Sequence, residues 1–64
     1  MEKMNEIWNS KGKKALIDGQ PRRIESVRAC YGRDLQIRLS SPLKGKTSHL
    51  YNVNETNAHK VVFI

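Results

Sequence analysis

The stretch of this sequence that most clearly predicts a β-hairpin carries one arginine on each predicted strand, Arg28 and Arg38. A guanidinium group carries a permanent positive charge and a planar fork of N–H donors, which matches the oxygens of a phosphate. Residues 27–39 alternate between apolar and polar types on both sides of a Gly-Arg-Asp turn at residues 32–34. The chemistry that this stretch predicts is therefore anion binding on the polar face of the hairpin. The residues predicted on this face are Ser26, Arg28, Cys30, Gln36, Arg38 and Ser40.

The pairing of the two hairpin strands is predicted from the requirement that the apolar side chains share one face. A three-residue loop satisfies this requirement, whereas a two-residue loop mixes apolar and polar side chains on each face. The predicted pairs are Tyr31 with Leu35, Ala29 with Ile37, and Val27 with Leu39. In this register Arg28 lies directly opposite Arg38, and like charges in that position repel each other. An anion bound between them would remove the repulsion.

Basic residues outnumber acidic residues by 12 to 6, which gives the chain a net charge of +6. This imbalance favours an anionic partner such as nucleic acid or an acidic protein. The other candidate phosphate contacts lie in two lysine-rich segments and on the second predicted strand: Lys13, Lys14, Lys44, Lys46 and Arg23. The run at residues 44–47 lacks the earlier glycine of a P-loop, so we expect a basic loop there and no nucleotide site.

Tyr51 is the predicted stacking residue, because His49 and Asn52 lie on the same strand and proteins that bind single strands stack bases on aromatic side chains. The other three aromatic side chains are predicted to belong to the core or its rim: Trp8, Tyr31 and Phe63.

The sequence predicts no catalytic or metal site. His49 and His59 have no carboxylate at the spacing of metal ligands. The single cysteine, Cys30, cannot form a disulfide within the chain and is expected to be a packed or half-buried thiol. A chain of 64 residues, 38 % of them apolar, needs nearly all its large apolar side chains for the core. We therefore expect neither an enzyme nor a cofactor.

The elements that position these residues are a helix and five strands. Met1, Met4, Ile7 and Trp8 recur at helical spacing, which predicts a short N-terminal helix or arm over residues 1–10. A β core is predicted over residues 15–64. Its strands are Ala15–Ile17, Arg22–Tyr31, Leu35–Ser40, His49–Val53 and Lys60–Ile64. The Asp-Gly pair at residues 18–19 predicts a tight hairpin turn between the first two strands.

The second of these strands has an irregular pattern. Ile24 has an even number, whereas Val27, Ala29 and Tyr31 have odd numbers. One regular strand cannot bury both sets on the same face, because successive side chains point to opposite faces. The sequence therefore predicts a β-bulge or a sharp bend near Glu25–Ser26.

Residues 1–64 are expected to form one mainly β domain: a small, strongly twisted five-stranded antiparallel sheet, or an SH3-like or OB-like barrel, with a short N-terminal helix. The entry into the bent strand at residues 17–21, Ile-Asp-Gly-Gln-Pro, resembles the opening hairpin of SH3-like barrels in translation and transcription factors. The resemblance implies the barrel form of the fold.

The function that we expect is a small basic module that binds DNA or RNA mainly through the phosphate backbone. The alternative is a protein-interaction module, an inhibitor or regulator of the kind that phages and mobile elements encode, which docks on an acidic protein surface. No signal peptide or membrane span is predicted, so we expect a cytoplasmic protein. Pairing of a free sheet edge would allow a homodimer.

Overall fold

The computed structural model of this chain describes residues 2–32 and 34–64. One α-helix, five strands and one short 3-10 helix follow each other along the chain. They are α1 (Glu2–Trp8), β1 (Lys14–Ile17), β2 (Gln20–Ala29), β3 (Leu35–Leu39), β4 (Leu50–Val53), the 3-10 helix (Ala58–Lys60) and β5 (Val61–Phe63).

The strands form one antiparallel sheet in the order β4-β3-β2-β1-β5. This arrangement confirms the prediction of a mainly β, five-stranded antiparallel sheet with a short N-terminal helix. Strands β4 and β5 form the two edges, so the sheet is not closed into a barrel in the described part of the chain. The SH3-like or OB-like form is therefore supported only loosely.

The turn between β1 and β2 has the geometry that its Asp-Gly sequence predicts. Ile17 pairs with Gln20, so the loop contains two residues. Both of them have positive φ angles, 54° at Asp18 and 81° at Gly19. Type I′ turns require this backbone, and their twist matches the twist of the strands that they join.

The predicted bulge in β2 is confirmed. Ile24 pairs with Leu39 and Ser26 pairs with Arg38, so Glu25 is an extra residue without a partner on β3. Ile24 is fully buried, and Val27 packs against the same core. The extra residue thus places an even-numbered and an odd-numbered apolar side chain on one face of the sheet.

The predicted register of the β2–β3 hairpin is wrong by two residues. Val27 pairs with Ile37 and Ala29 pairs with Leu35. The loop therefore contains residues 30–34, closed by a 2.8 Å hydrogen bond from the Cys30 N–H to the Asp34 carbonyl. A shift of two residues leaves every side chain on its face, so the burial argument could not distinguish the two registers.

The five-residue loop changes the position of Tyr31. This side chain was expected at the rim of the core, yet it lies in the loop and is 91 % exposed. Cys30 is also exposed, so the prediction of a packed or half-buried thiol is wrong. Arg33, the central residue of the predicted turn, lies outside the described residues.

The core lies on one side of the sheet and is covered at one end by α1. Its buried apolar side chains come from all the elements and from the loop after β3: Ile7, Ala15, Ile17, Ile24, Leu35, Ile37, Leu39, Leu43, Val53, Ala58 and Val61. Ile7 and Met4 attach α1 to this cluster. Trp8 was expected in the core but is 48 % exposed.

Phe63, also expected in the core, packs against its edge and is partly buried. The Lys3 ammonium lies 5.0 Å from the centre of the Phe63 ring, and the Lys13 ammonium lies 5.9 Å from it. These distances are within the range of cation–π attraction. The two lysines therefore cover an aromatic side chain that the small core does not enclose.

The importance of the core beside the bulge can be tested with Ile24→Ala. We expect this change to lower the free energy of unfolding by about 2–5 kcal/mol, because a fully buried side chain is replaced by a cavity. The control is Val62→Ala, where the side chain is 47 % exposed and the loss should be about 1 kcal/mol or less. Urea denaturation measures both values, and equal losses would contradict the described core.

Candidate nucleic-acid interface

The outer face of strands β2, β3 and β4 carries two rows of polar side chains. The register of these strands defines the rows, since directly paired residues lie on the same face. The first row is Arg28, Gln36 and Asn52, and the second row is Ser26, Arg38 and Leu50. Arg28 and Arg38 thus lie on one face, as predicted.

A chain of hydrogen bonds runs along the first row. The Arg28 Nε–H donates to Gln36 Oε1 at 2.7 Å, and the Gln36 amide Nε2 donates to Asn52 Oδ1 at 3.1 Å. The bond at Nε fixes the plane of the guanidinium. It leaves the two terminal nitrogens of Arg28 without a hydrogen-bond partner among the described residues.

The Arg38 side chain is exposed in the second row and has no hydrogen bond or salt bridge to any residue in the described ranges. Its predicted position directly opposite Arg28 is wrong, because Gln36 takes that place. The two arginines are instead diagonal neighbours, a relation in which side chains lie roughly 7–8 Å apart. Both line a depression of about 150 Å³ together with Ser26, Gln36 and Leu50.

The other predicted basic residues divide into two groups. Lys14 on β1 pairs directly with Arg23 on β2, on the far side of the bulge from Arg28. Arg23 lies 3.8 Å from the Glu25 carboxylate, and both side chains are substantially exposed. This ion pair compensates part of the charge of Arg23, whereas the Lys13 ammonium lies over Phe63.

Lys44 and Lys46 form the second group, in the exposed loop between β3 and β4. The Lys44 N–H donates to Gln20 Oε1 at 2.7 Å, which ties this loop to the start of β2. Arg22, a residue that sequence reasoning did not select, donates to the Pro42 carbonyl at 3.0 Å and holds the same loop. The structure does not bring Lys44 into the arginine depression.

Tyr51, the predicted stacking residue, lies on the opposite face of the sheet from Arg28 and Arg38. It pairs with Ile37 and packs against the core. Burial raises the pKa of Tyr51 above 10.0, and the negative charge of Asp18 raises it further. The side chain does not join the arginine face, but it lines a separate cavity along the edge of β4.

Ser26 and Gln36 lie on the arginine face, as the alternation of the hairpin strands predicts, and Asn52 on β4 completes this face. The sequence indicates these residues only by their positions, because they alternate with buried residues on adjacent strands. His49, in contrast, has a structural contact, with its Nδ1 atom 3.1 Å from the Leu39 carbonyl. Within residues 2–32 and 34–64, no three side chains of the metal-ligating types lie close enough to hold a metal ion.

Comparison with protein-family models, with curated proteins and with solved structures gives no match to this chain. Among the described residues, no helix combines the length and the apolar character needed to cross a bilayer.

The raised pKa of Tyr51 predicts how stability depends on pH. Between the ordinary tyrosine pKa of about 10 and the higher folded value, the unfolded chain loses its proton first. The free energy of unfolding should therefore fall as the pH rises through this window, and Tyr51→Phe should reduce the slope. Urea denaturation at a series of alkaline pH values gives both slopes. Equal slopes in the native protein and in Tyr51→Phe would contradict the raised pKa of Tyr51.

Proposed function

We propose that this protein is a small non-enzymatic module that binds DNA or RNA, mainly through the phosphate backbone. The observation that supports this proposal most strongly is the arginine depression. Two guanidinium groups border it, and neither forms a salt bridge with a described carboxylate. Such a pair of positive charges is more stable with an anion between them.

The polar groups around the depression suit a phosphate in particular. Gln36 orients the Arg28 guanidinium, so the terminal N–H groups of this arginine remain available to a ligand. Ser26 adds a hydroxyl group that can donate to a phosphate oxygen. Pre-orientation of Arg28 lowers the entropy that binding would otherwise cost.

The distribution of charge supports contacts to several phosphates. Lys14 and Arg23 continue the basic surface beyond the bulge, Lys46 lies in the loop beside β4, and Lys44 adds a positive charge near the start of β2. A net charge of +6 attracts a polyanion over a longer range than any one contact. Because phosphate contacts carry no sequence information, we propose binding with little base specificity. Such a module would act in the cytoplasm.

A protein-interaction module is the second candidate. One observation favours it: Val62, Leu16 and Pro21 form an apolar row across β5, β1 and β2 on the outer face. Val62 is 47 % exposed, and β5 is an open edge of the sheet. Val62→Glu should weaken binding to an acidic protein partner much more than binding to nucleic acid, because it places a negative charge on the apolar row and Val62 does not line the arginine depression.

Replacement of both arginines tests the proposed function. Arg28→Ala combined with Arg38→Ala should weaken binding to DNA and RNA of any sequence, because contacts to phosphates are lost. The slope of log affinity against log salt concentration should fall by about 1 for each lost contact. Fluorescence anisotropy with labelled oligonucleotides over a range of salt concentrations measures affinity and slope together.

The matched control is Lys11→Ala combined with Lys60→Ala. It also removes two positive charges from exposed positions, but neither lysine lines the depression. We expect this control to weaken binding less than the double arginine variant. Equal effects of the two variants would show that only net charge matters, and binding that does not respond to salt would contradict the phosphate contacts.

A further inference from the structure

A second cavity, of about 320 Å³, lies along the free edge of β4. This volume is at the lower end of the range found for small-molecule sites. Its walls combine apolar side chains, an aromatic ring, hydroxyl groups and a lysine: Leu39, Leu43, Leu50, Tyr51, Thr47, Ser48, Asn52 and Lys46. We refer to it as the edge cavity.

The backbone of β4 gives the edge cavity specific hydrogen-bonding groups. The Leu39 N–H donates to the His49 carbonyl, so in the alternating antiparallel pattern the backbone groups of Tyr51 point toward β3. Those of Leu50 and Asn52 therefore point outward, toward the free edge.

Side chains already satisfy half of these outward groups. Ser48 Oγ accepts from the Leu50 N–H at 3.1 Å, and the Asn57 side-chain amide donates to the Asn52 carbonyl at 3.1 Å. The Leu50 carbonyl and the Asn52 N–H have no hydrogen-bond partner among the described residues. One acceptor and one donor, two residues apart, thus remain beside the cavity.

This pattern favours a compact planar ligand over a peptide. An added β-strand would pair with both backbone groups of Leu50 and both of Asn52, but one group of each is already taken. A nucleobase presents a donor and an acceptor side by side on its edge. It can use the two groups that remain, while its faces contact the apolar and aromatic walls.

The edge cavity and the arginine depression are neighbours. Leu50 lines both of them, and Asn52 links them through its hydrogen bond to Gln36. Lys46 lies in the wall of the edge cavity and is exposed. Basic groups therefore stand on both sides of the cavity, as the two phosphates that flank one nucleotide would require.

We propose that the edge cavity receives one unpaired base of a single-stranded nucleic acid whose backbone crosses the arginine depression. This inference rests on the proposed function and adds a preference for single strands. A duplex does not fit, because its bases are paired and stacked. In the proposed complex a thymine or uracil N3–H donates to the Leu50 carbonyl, and a carbonyl oxygen of the base accepts from the Asn52 N–H.

Three probes of equal length test the inference with the native protein: oligothymidylate, a backbone of abasic sites, and a duplex. Fluorescence anisotropy should give an affinity for oligothymidylate about 5- to 150-fold higher than that for the abasic backbone, the range expected for one bound base. The duplex should also bind more weakly than oligothymidylate. Equal, salt-dependent binding of all three would overturn this inference and leave the proposed function intact. Binding of none would overturn both.

Thr47→Leu is the variant that fills part of the edge cavity without adding an aromatic ring on which a base could stack. Thr47 is exposed in the loop, so a larger side chain there does not disturb the core. This variant should bind oligothymidylate no better than the abasic backbone. The same substitution at another exposed threonine outside the cavity, Thr56→Leu, should leave the preference intact. A preference for oligothymidylate that survives in Thr47→Leu would place the base elsewhere and overturn the assignment.

Poly-glutamate, a polyanion without bases, separates a base site from a peptide site. In the native protein, oligothymidylate should shift the amide resonances of Leu50 and Asn52 in NMR titrations, and poly-glutamate should not. If poly-glutamate shifts these two resonances and oligothymidylate does not, the edge of β4 binds peptides and the inference is wrong.

Discussion

The structure depends on one constraint. Strand β2 pairs with β1 in its first half and with β3 in its second half, and it must present the same face to the core along its whole length. Ile24 pairs with Leu39 and is fully buried, while Val27, three residues later, packs against the same core. Side chains three residues apart on a regular strand point to opposite faces. The extra residue Glu25 resolves this conflict, and its position determines the face on which every later residue of β2 lies.

The basic face is a consequence of that constraint. Once Val27 faces the core, Arg28 must face outward, and its partner Gln36 and the next outward residue of β3, Arg38, follow. The acidic residue of β2 is Glu25, and its carboxylate lies near Arg23, on the other side of the bulge from Arg28. The same irregularity that completes the core therefore leaves two guanidinium groups together with no ion pair to a carboxylate among residues 2–32 and 34–64. The proposed binding function is our interpretation of these two uncompensated positive charges.

The sequence predicted those features that depend on local pattern. Asp18 and Gly19 predicted a tight turn because few other residue pairs adopt positive φ at both positions. The change of parity after Ile24 predicted the bulge, because burial imposes a period of two on a strand. The common face of Arg28 and Arg38 followed from the same rule.

Features that depend on lengths and tertiary contacts were not predicted correctly. The hairpin loop has five residues, because registers that differ by two bury the same side chains and only the loop conformation selects between them. Trp8 and Tyr31 are exposed, although composition placed them in or near the core. The edge cavity depends on how the loop at residues 41–49 folds beside β4, and no periodic pattern encodes that contact.

The pairing of β2 with β3 across the bulge is the central claim, and NMR measures it directly. In an antiparallel sheet the α-protons of a pair without direct backbone hydrogen bonds lie close together. We expect strong nuclear Overhauser effects between the α-protons of Val27 and Ile37 and between those of Ala29 and Leu35. Contacts of Val27 with Gln36 or Arg38 instead would mean a slip of one residue, which would turn Arg28 and Arg38 to opposite faces and contradict the account.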